Sequence, residues 1–306
     1  MRAIVIAEQG APPSLAELPT PEPGAGEVQV KLATSSLNGF DTAVAAGYLT
    51  GMMEHRYPVV LGKDFAGTVT ALGEGVTGYA VGDRVFGVVT KPFLGDGGFG
   101  EYVVVGDQIG LTKIPDGLDL ASAGALGLAG SAAVDALEAV APQTGETVLI
   151  IGATGGVGAI ATQYAAAAGA RVIATAQPGS ESDFVRTLGA TDVVDYKGDL
   201  AAQVRALRPD GVDVVLHLAG DGAEALGLLA EKGRLASTLG LGPDQHPAAV
   251  AVMATPTVAT LDRLAADAAG GRLTVPVARA YRLSEVPAAF ADFAGGTLGK
   301  VGVSID

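Results

Sequence analysis

The chain has 306 residues, enough for two domains that bury their cores without disulfide bonds or metal ions. Its 19 basic and 33 acidic residues give a formal net charge of −14, which argues against nucleic acid or an anionic membrane as a partner, because phosphate binding needs clustered Lys and Arg. There is no cysteine, so disulfides, thiolate nucleophiles and cysteine-ligated metals are excluded, and the three histidines are widely separated. The only early apolar run, Ala3–Ala7, is too short for a signal peptide, and we expect a soluble cytoplasmic protein.

The first 115 residues alternate short β-branched segments with turns rich in Gly and Pro. Several short strands at this spacing favour a β-barrel or sandwich over βαβ units. The predicted strands lie at 3–6, 27–32, 67–72, 83–89 and 100–105.

From about residue 118 onward, the pattern changes to alternating helices and strands. Continuously apolar strands joined by helices of about ten residues indicate a parallel sheet covered on both faces. The predicted strands lie at 146–152, 171–176, 192–196, 212–220, 233–240 and 249–254, and the predicted helices at 131–140, 159–169, 182–190, 199–208 and 223–231. The last fifty residues predict a helix at 257–271, a strand at 272–283, a short helix at 285–296 and a closing strand at 300–305.

A glycine-rich loop connects a buried strand to an Ala-rich helix at residues 148–170. It contains Gly152, Gly155, Gly156 and Gly158, which is the strand–turn–helix arrangement of a dinucleotide-binding loop. Such a loop lets the backbone approach a pyrophosphate at the helix N-terminus. The spacing is G-x-x-G-x-x-G, so a plain βα turn is the alternative. No Lys-Ser or Lys-Thr follows, which excludes a mononucleotide P-loop.

The end of the second strand of this region bears on the choice of nicotinamide cofactor. An NAD site usually has Asp or Glu there, whereas residues 174–177 are Ala-Thr-Ala-Gln and the first carboxylate is Glu181. Small residues leave room for a 2′-phosphate, so the sequence favours NADP(H) over NAD(H), although Glu181 and Asp183 argue in the other direction. The residues predicted to bind the cofactor are Ser131, Thr154, Gly155, Gly156, Val157, Gly158, Thr175, Ser180, Arg186, Tyr196, Leu239 and Gly240, with Ser180, Arg186 and Tyr196 assigned to the phosphate.

Motifs along nearly the whole chain resemble those of medium-chain dehydrogenase/reductases, in their zinc-independent quinone oxidoreductase branch. The matching segments are MRAIV, 35–48, 57–69, 78–87, 97–105, GATGGVG and 299–303. The resemblance implies an α/β fold with a GroES-like β-barrel catalytic domain (1–120, completed by 256–306) and a doubly wound parallel-sheet Rossmann domain (121–255). It also implies an active site in the cleft between them and a homodimer, for which the apolar segment 249–254 is the candidate contact.

Several positions depart from the zinc-dependent members of this family. Where those carry a Cys and a His-Glu pair, this chain has Asn38 and Lys63-Asp64, and the four-cysteine structural zinc lobe is absent. The resemblance therefore implies no metal site. Ser131 stands where members often carry Thr, and His217, which we interpret as a hydrogen-bonded core histidine, stands where the fourth Rossmann strand usually has Asp.

Three side chains are the candidate catalytic donors: Asn38, Tyr48 and Lys63. Each has a structural alternative: Asn38 as a turn cap, Tyr48 as a packing residue, and Lys63 as a local ion-pair partner of Asp64. We interpret Asp41 as a structural residue that holds the loop.

Without zinc, hydride transfer is easier to an acceptor that is already electrophilic. The leading hypothesis is an NADPH-dependent enzyme that reduces a quinone or an α,β-unsaturated carbonyl. The alternatives are a redox-neutral enzyme of the cyclase or lyase type on the same fold, and a non-catalytic NADPH-binding protein.

Overall fold

A computed structural model describes residues 1–305 and divides the chain into two compact units. The first unit comprises Met1–Leu128 together with the segment from Pro256 onward, and the second comprises Ala129–Thr255.

In chain order, the strands are β1 (Arg2–Ile6), β2 (Ser14–Glu17), β3 (Glu27–Leu37), β4 (Glu54–His55), β5 (Val59–Val60), β6 (Asp64–Leu72), β7 (Arg84–Val88), β8 (Phe93–Leu94), β9 (Tyr102–Gly106), β10 (Leu111–Lys113), β11 (Thr147–Ile151), β12 (Arg171–Thr175), β13 (Asp192–Val194), β14 (Val212–His217), β15 (Leu229–Ser237), β16 (Ala249–Ala251), β17 (Val277–Arg282) and β18 (Lys300–Ser304). The helices are α1 (Gly39–Ala45), α2 (Leu120–Val140), α3 (Gly156–Ala167), α4 (Ser180–Thr187), α5 (Leu200–Leu207), α6 (Gly222–Gly227), α7 (Val258–Ala269) and α8 (Val286–Ala294), and a 3-10 turn covers Leu283–Glu285.

The first unit is built around a sheet in the order β10-β7-β6-β3-β18-β17, with β9 also paired to β3. The closing strand β18 runs antiparallel to β3, and β3 runs antiparallel to β6. Val301 lies opposite Leu37, so the start of β18 meets the end of β3. The alternating strands bury a core that includes Ile4, Phe65 and Phe99.

The second unit is the parallel sheet that the alternation of elements predicts. Its order is β13-β12-β11-β14-β15-β16, and every neighbouring pair is parallel. The strand order reverses beside β11, where β12 lies on one side and β14 on the other. In sheets of this kind, ligands bind at the carboxyl ends of the strands at such a reversal. The glycine loop between β11 and α3 lies at this position.

The predicted helix at 131–140 is longer at its N-terminus than the sequence indicates. It is the end of α2, whose first turn is capped by Asp119: the Ser122 amide donates to Asp119 Oδ1 at 2.9 Å. By length and composition α2 could cross a membrane, but 72% of its most apolar window is buried, which is typical of a core helix.

Two other predicted boundaries are wrong for identifiable reasons. The predicted helix at 223–231 ends at Gly227, because Leu229 already pairs with Val212 in the parallel sheet. The predicted strand at 272–283 begins only at Val277, directly after Pro276, which has no amide hydrogen for a sheet hydrogen bond.

Candidate functional site

Three distant parts of the chain place polar side chains at one end of the first unit's main sheet. Asn38 follows β3, Asp64 begins β6 and Lys300 begins β18, so the strand pairing described above brings them together. All three are buried, with relative exposures of 8%, 0% and 3%. We call Asn38, Asp64 and Lys300 the buried triad.

Lys300 is the member of the triad that the sequence did not single out. Its ammonium donates to the Leu37 carbonyl oxygen at 3.0 Å and to Asn38 Oδ1, and its Nζ lies 3.2 Å from Asp64 Oδ2. An ammonium has three hydrogens, and here three acceptors surround it. The charge is therefore buried with a full set of partners, as a buried charge must be.

The Asp64 carboxylate accepts hydrogen bonds from four groups, which is an unusually complete set for one side chain. Besides Lys300, the donors are Ser36 Oγ at 2.6 Å, Asn38 Nδ2 at 2.9 Å and the Leu128 amide at 2.7 Å. The Leu128 amide belongs to α2, so the carboxylate also ties this helix to the sheet. Charge-assisted bonds of this kind are stronger than bonds between neutral groups.

Asn38 makes internal contacts with its whole side chain. Its Nδ2 donates to Asp64 Oδ2 and, at 3.3 Å, to the Ser36 carbonyl oxygen, while its Oδ1 accepts from Lys300. The predicted role as a donor to substrate is therefore replaced by a positioning role. Asn38 is also the N-cap residue of α1 and forms a capping box with Asp41, as the turn-cap alternative predicts.

Asp41 holds this turn, as the sequence predicts. Its Oδ2 accepts from the Asn38 amide at 2.8 Å, and the residue is buried. Burial, opposed by the bond from the Asn38 amide and assisted by the charge of Asp64, raises the pKa of Asp41 to about 7. This carboxyl therefore changes its protonation state near neutral pH.

Lys63 does not form the predicted local ion pair with Asp64, which pairs with Lys300 instead. Its ammonium donates to the Val89 carbonyl oxygen and lies 4.9 Å from the centre of the Phe40 ring. Burial lowers the pKa of the Lys63 ammonium, against the raising effect of the Asp41 and Asp64 charges. Among the described residues, the Lys63 ammonium has one hydrogen-bond acceptor, the Val89 carbonyl oxygen, for its three N–H groups. Two N–H donors therefore remain available.

Tyr48 is not brought together with the other candidates. Its side chain is 77% exposed and takes no part in the hydrogen bonds of the buried triad. Its proposed contact with substrate stays a prediction.

In the second unit, the glycine loop has the shape that a pyrophosphate requires. Gly152 has a φ of +91°, in the left-handed region. A Cβ at Gly158 would lie 2.2 Å from the Gly152 carbonyl oxygen, so only glycine lets α3 pack this closely against the end of β11. No side chain caps α3, and an α-helix leaves its first amides, here those from Gly156 to Gly158, without intrahelical acceptors. These amides fit an anionic diphosphate.

The Thr175 hydroxyl makes hydrogen bonds to the glycine loop and to β11. It accepts from the Gly152 amide at 2.9 Å and lies 3.3 Å from the Ile150 carbonyl oxygen, to which it donates. The buried hydroxyl is thus used inside the protein, which corrects its predicted direct contact. Ser131, also predicted as a contact, is fully buried in α2.

His217 and Ser237 position the loop that carries Leu239 and Gly240. His217 Nδ1 lies 3.0 Å from Ser237 Oγ, which accepts from the Leu239 amide at 3.0 Å. The interpretation of His217 as a hydrogen-bonded core histidine is confirmed. Gly240 has a φ of +85°, so the loop turns at a residue without a side chain.

The three predicted phosphate ligands do not gather into a basic site. Ser180 and Arg186 are exposed, and Arg186 Nη1 lies 3.4 Å from the Thr191 carbonyl oxygen. The Tyr196 hydroxyl donates to Glu181 Oε1 at 3.2 Å. A carboxylate, and not a guanidinium, therefore lies beside Tyr196.

The donor set of the buried triad does not suit a divalent metal ion. The triad has three side-chain acceptor oxygens. Asn38 Oδ1 and Asp64 Oδ2 face the Lys300 ammonium, and Asp64 Oδ1 accepts from the Leu128 amide. No cluster of three or more His, Asp or Glu that could hold a metal occurs within residues 1–305. The Lys300 ammonium therefore occupies the place from which a metal ion would bind Asn38 Oδ1 and Asp64 Oδ2.

The raised pKa of Asp41 predicts a pH-dependent stability. The folded state keeps this carboxyl protonated up to about pH 7, whereas the unfolded chain releases the proton near its ordinary pKa of 3.8, so stability falls as pH rises through that window. We expect the free energy of unfolding of the wild type, relative to Asp41→Asn, to drop by about 2 kcal/mol or more between about pH 4 and pH 8. Urea denaturation at both pH values measures this difference in the free energy of unfolding. Asp116→Asn, a substitution of an exposed Asp, is the control. A constant difference between wild type and Asp41→Asn would contradict the assignment.

Family models match both units of the chain. Residues 24–116 match the alcohol dehydrogenase GroES-like domain, and residues 156–262 match the family described as zinc-binding dehydrogenase.

Curated relatives of this chain include proteins with quinone oxidoreductase in their names. The quinone oxidoreductase of Lama guanicoe is 32% identical over 251 residues, covering 79% of this chain and 74% of that protein. The chloroplast envelope quinone oxidoreductase homolog of Arabidopsis thaliana is 35% identical over 210 residues, covering 66% of this chain. The matched region spans 62% of that plant protein's length.

Solved structures resemble the chain over nearly its full length. The quinone oxidoreductase from Coxiella burnetii matches with a TM-score of 0.90 and 27% identity, covering 100% of this chain and 99% of that one. An NAD-dependent alcohol dehydrogenase matches with a TM-score of 0.87 and 27% identity, covering 100% of both chains. The mycobacterial protein Rv1454c, complexed with NADPH, matches with a TM-score of 0.86 and 29% identity, covering 99% of both chains. With the family models, these matches establish that the chain belongs to the medium-chain dehydrogenase/reductase superfamily, in its quinone oxidoreductase-like branch.

Proposed function

We propose that this chain is a zinc-independent, nicotinamide-dependent oxidoreductase that reduces small electrophilic acceptors, namely quinones or α,β-unsaturated carbonyls. The observation that carries the proposal is the buried triad. At positions that resemble the metal-ligand positions of zinc-dependent relatives, it holds an amide and a carboxylate joined by a lysine ammonium. Membership of the quinone oxidoreductase-like branch supports the same reaction class.

Electrostatics support a reaction without zinc at this place. Two unit positive charges about 4 Å apart near a protein surface repel by about 4 kcal/mol, and a divalent ion beside Lys300 would meet more than that. The triad oxygens are also already hydrogen-bonded: Asp64 Oδ2 accepts from Lys300, Asn38 and Ser36, Asp64 Oδ1 from the Leu128 amide, and Asn38 Oδ1 from Lys300. We therefore propose that the zinc binding in that family's description does not extend to these residues.

Lys63 is the residue we propose to stabilise the negative charge that develops on the acceptor oxygen. It is half-buried, so its charge acts in a medium less polar than water, and two of its N–H groups are available. The lowered pKa also brings its proton closer to transfer at neutral pH. When bound, a reduced nicotinamide supplies the hydride, and the amides of the glycine loop are the groups that would hold its pyrophosphate.

Because the Lys63 ammonium is the one cation proposed to stabilise the reaction, it limits the class of hydride acceptor that the protein can reduce. Quinones and enones accept hydride readily, because the resulting charge is delocalised into an enolate that needs only hydrogen-bond donors and a later proton. A simple ketone concentrates that charge on one oxygen and relies on stronger polarisation, such as a metal provides. The proposed residues therefore suit the first group of acceptors.

The sequence also predicts NADP(H) as the cofactor, a cytoplasmic location, no membrane or nucleic-acid partner, and a homodimer. For the homodimer, β16 is the edge strand of the parallel sheet and Val250 on it is exposed, which is compatible with pairing to a second copy. For the cofactor, the glycine loop suits either dinucleotide.

A panel of acceptors tests the proposed reaction. We expect oxidation of NADH or NADPH with quinones and enones at a kcat/KM about 100-fold above that with simple ketones, and no loss of activity after treatment with a chelator. Turnover of simple ketones alone, or activity that a chelator abolishes and zinc restores, would contradict it. Product formed without cofactor oxidation would favour the redox-neutral alternative, and cofactor binding without any turnover would favour the non-catalytic one.

The role of Lys63 is testable through its charge. Lys63→Met removes the donor, and we expect kcat to fall about 10- to 100-fold while dinucleotide affinity stays within about twofold. Because burial lowers the pKa of Lys63 from 10.5, wild-type activity should decline with rising pH below that value as the ammonium is lost, and Lys63→Arg should move this decline to higher pH. Kinetics across pH measure both effects, with the exposed Lys113→Met as control. Equal losses in the Lys63 and Lys113 variants, or an unmoved decline in Lys63→Arg, would remove Lys63 from the mechanism.

A further inference from the structure

A carboxylate lies at the end of β12, where the sequence predicts a phosphate site. Glu181 Oε2 accepts from the Gln177 amide at 2.8 Å, and Glu181 Oε1 accepts from the Tyr196 hydroxyl at 3.2 Å. Gln177 Nε2 donates to the same hydroxyl at 2.8 Å. We call Gln177, Glu181 and Tyr196 the Glu181 cluster.

The position of this cluster relative to the glycine loop is fixed by the sheet. β12 pairs in parallel with β11 from Arg171 to Ala174, and Thr175 binds the Gly152 amide directly. In dinucleotide-binding sheets, the end of this second strand meets the adenosine ribose, where an acid binds a free 2′-hydroxyl and a cation binds a 2′-phosphate. The side chain at the end of β12 therefore determines whether NAD(H) or NADP(H) binds more tightly.

Small residues at the strand end do not leave the space open. Ala176 has only a methyl group, but Glu181, in the first turn of α4, reaches back over four residues to the Gln177 amide. The space in which the sequence predicts the 2′-phosphate of NADP(H) therefore contains the Glu181 carboxylate. Tyr196, one of the predicted phosphate ligands, directs its hydroxyl hydrogen to that carboxylate.

The charges of the neighbouring segment have the same sign as a phosphate. Residues 177–199 contain five acidic and two basic side chains: Glu181, Asp183, Asp192, Asp195 and Asp199 against Arg186 and Lys197. Arg186 is directed to a carbonyl oxygen, and Lys197 lies 5.6 Å from the centre of the Tyr196 ring. None of the ion pairs observed within residues 1–305 includes Glu181.

We infer that Glu181 directs the cofactor preference of this protein toward NAD(H): its carboxylate accepts the hydrogen bond of the adenosine ribose 2′-hydroxyl and repels the 2′-phosphate of NADP(H). The inference rests on the proposed dinucleotide site and reverses the preference that the strand-end residues alone suggest. Solved structures similar to this chain include one titled NAD-dependent and one complexed with NADPH, so the shared fold accommodates both cofactors.

Equilibrium binding of NADH and NADPH to the purified full chain, followed by calorimetry, tests the inference without any acceptor. We expect NADH to bind about 10-fold or more tightly than NADPH. Glu181→Gln keeps an acceptor for the Gln177 amide but removes the charge, so the ratio should narrow to about threefold or less, mainly through tighter NADPH binding. Asp183→Asn makes the same charge change on the same helix without touching the cluster, and should move the ratio by less than about twofold.

The possible results separate the inference from the proposed function. Wild-type preference for NADPH, or equal changes in Glu181→Gln and Asp183→Asn, overturns the inference and leaves the proposed reductase intact. Failure of both dinucleotides to bind overturns the proposed function and the inference with it. A parallel titration with 5′-AMP and 2′,5′-ADP assigns the preference to the adenosine half of the cofactor: the same ratio with these fragments supports the inference, and equal affinities overturn it.

Discussion

The ion pair between Lys300 and Asp64 is the interaction on which the first unit depends. Both side chains are buried, and an unpaired charge in such a place costs several kcal/mol. Three strands from distant parts of the sequence must meet before the pair can form, because β6 carries the carboxylate, β18 the ammonium, and β3 lies between them. The ion pair therefore favours the arrangement in which the C-terminal strand β18 pairs with β3.

The same pair underlies the chemistry that we propose for this site. Lys300 occupies the oxygen atoms of Asn38 and Asp64 that a metal ion would need, and it leaves Lys63 as a neighbouring cation with unused donors. A buried structural cation beside a partly available one suits acceptors that need stabilisation of a delocalised charge. In the second unit, we propose that the glycine loop binds the pyrophosphate of the dinucleotide and that the Glu181 cluster binds its ribose.

Sequence patterns predicted the features that are encoded locally. Apolar runs located the strands of the parallel sheet, and glycine spacing located the loop before α3, because both depend on neighbouring residues. The role of Lys300 was missed, since its partner Asn38 is 262 residues away and no local pattern encodes that pairing. Lys63 and Asp64 are adjacent in sequence, yet successive residues at a strand start point in opposite directions, so adjacency misled the ion-pair prediction. The position of the Glu181 carboxylate is not predictable from the strand-end residues, because its return to Gln177 depends on the turn into α4.

The most direct test of this account is the free energy of unfolding of Lys300→Met measured by urea denaturation. Removing the ammonium leaves Asp64 buried with a charge and three remaining donors, so we expect a loss of about 3 kcal/mol. Adding Asp64→Asn should restore about 1 kcal/mol or more, because the uncompensated charge is then gone. A Lys300→Met variant within about 1 kcal/mol of the wild type, or a double variant that is less stable than Lys300→Met alone, would contradict the central role of this pair.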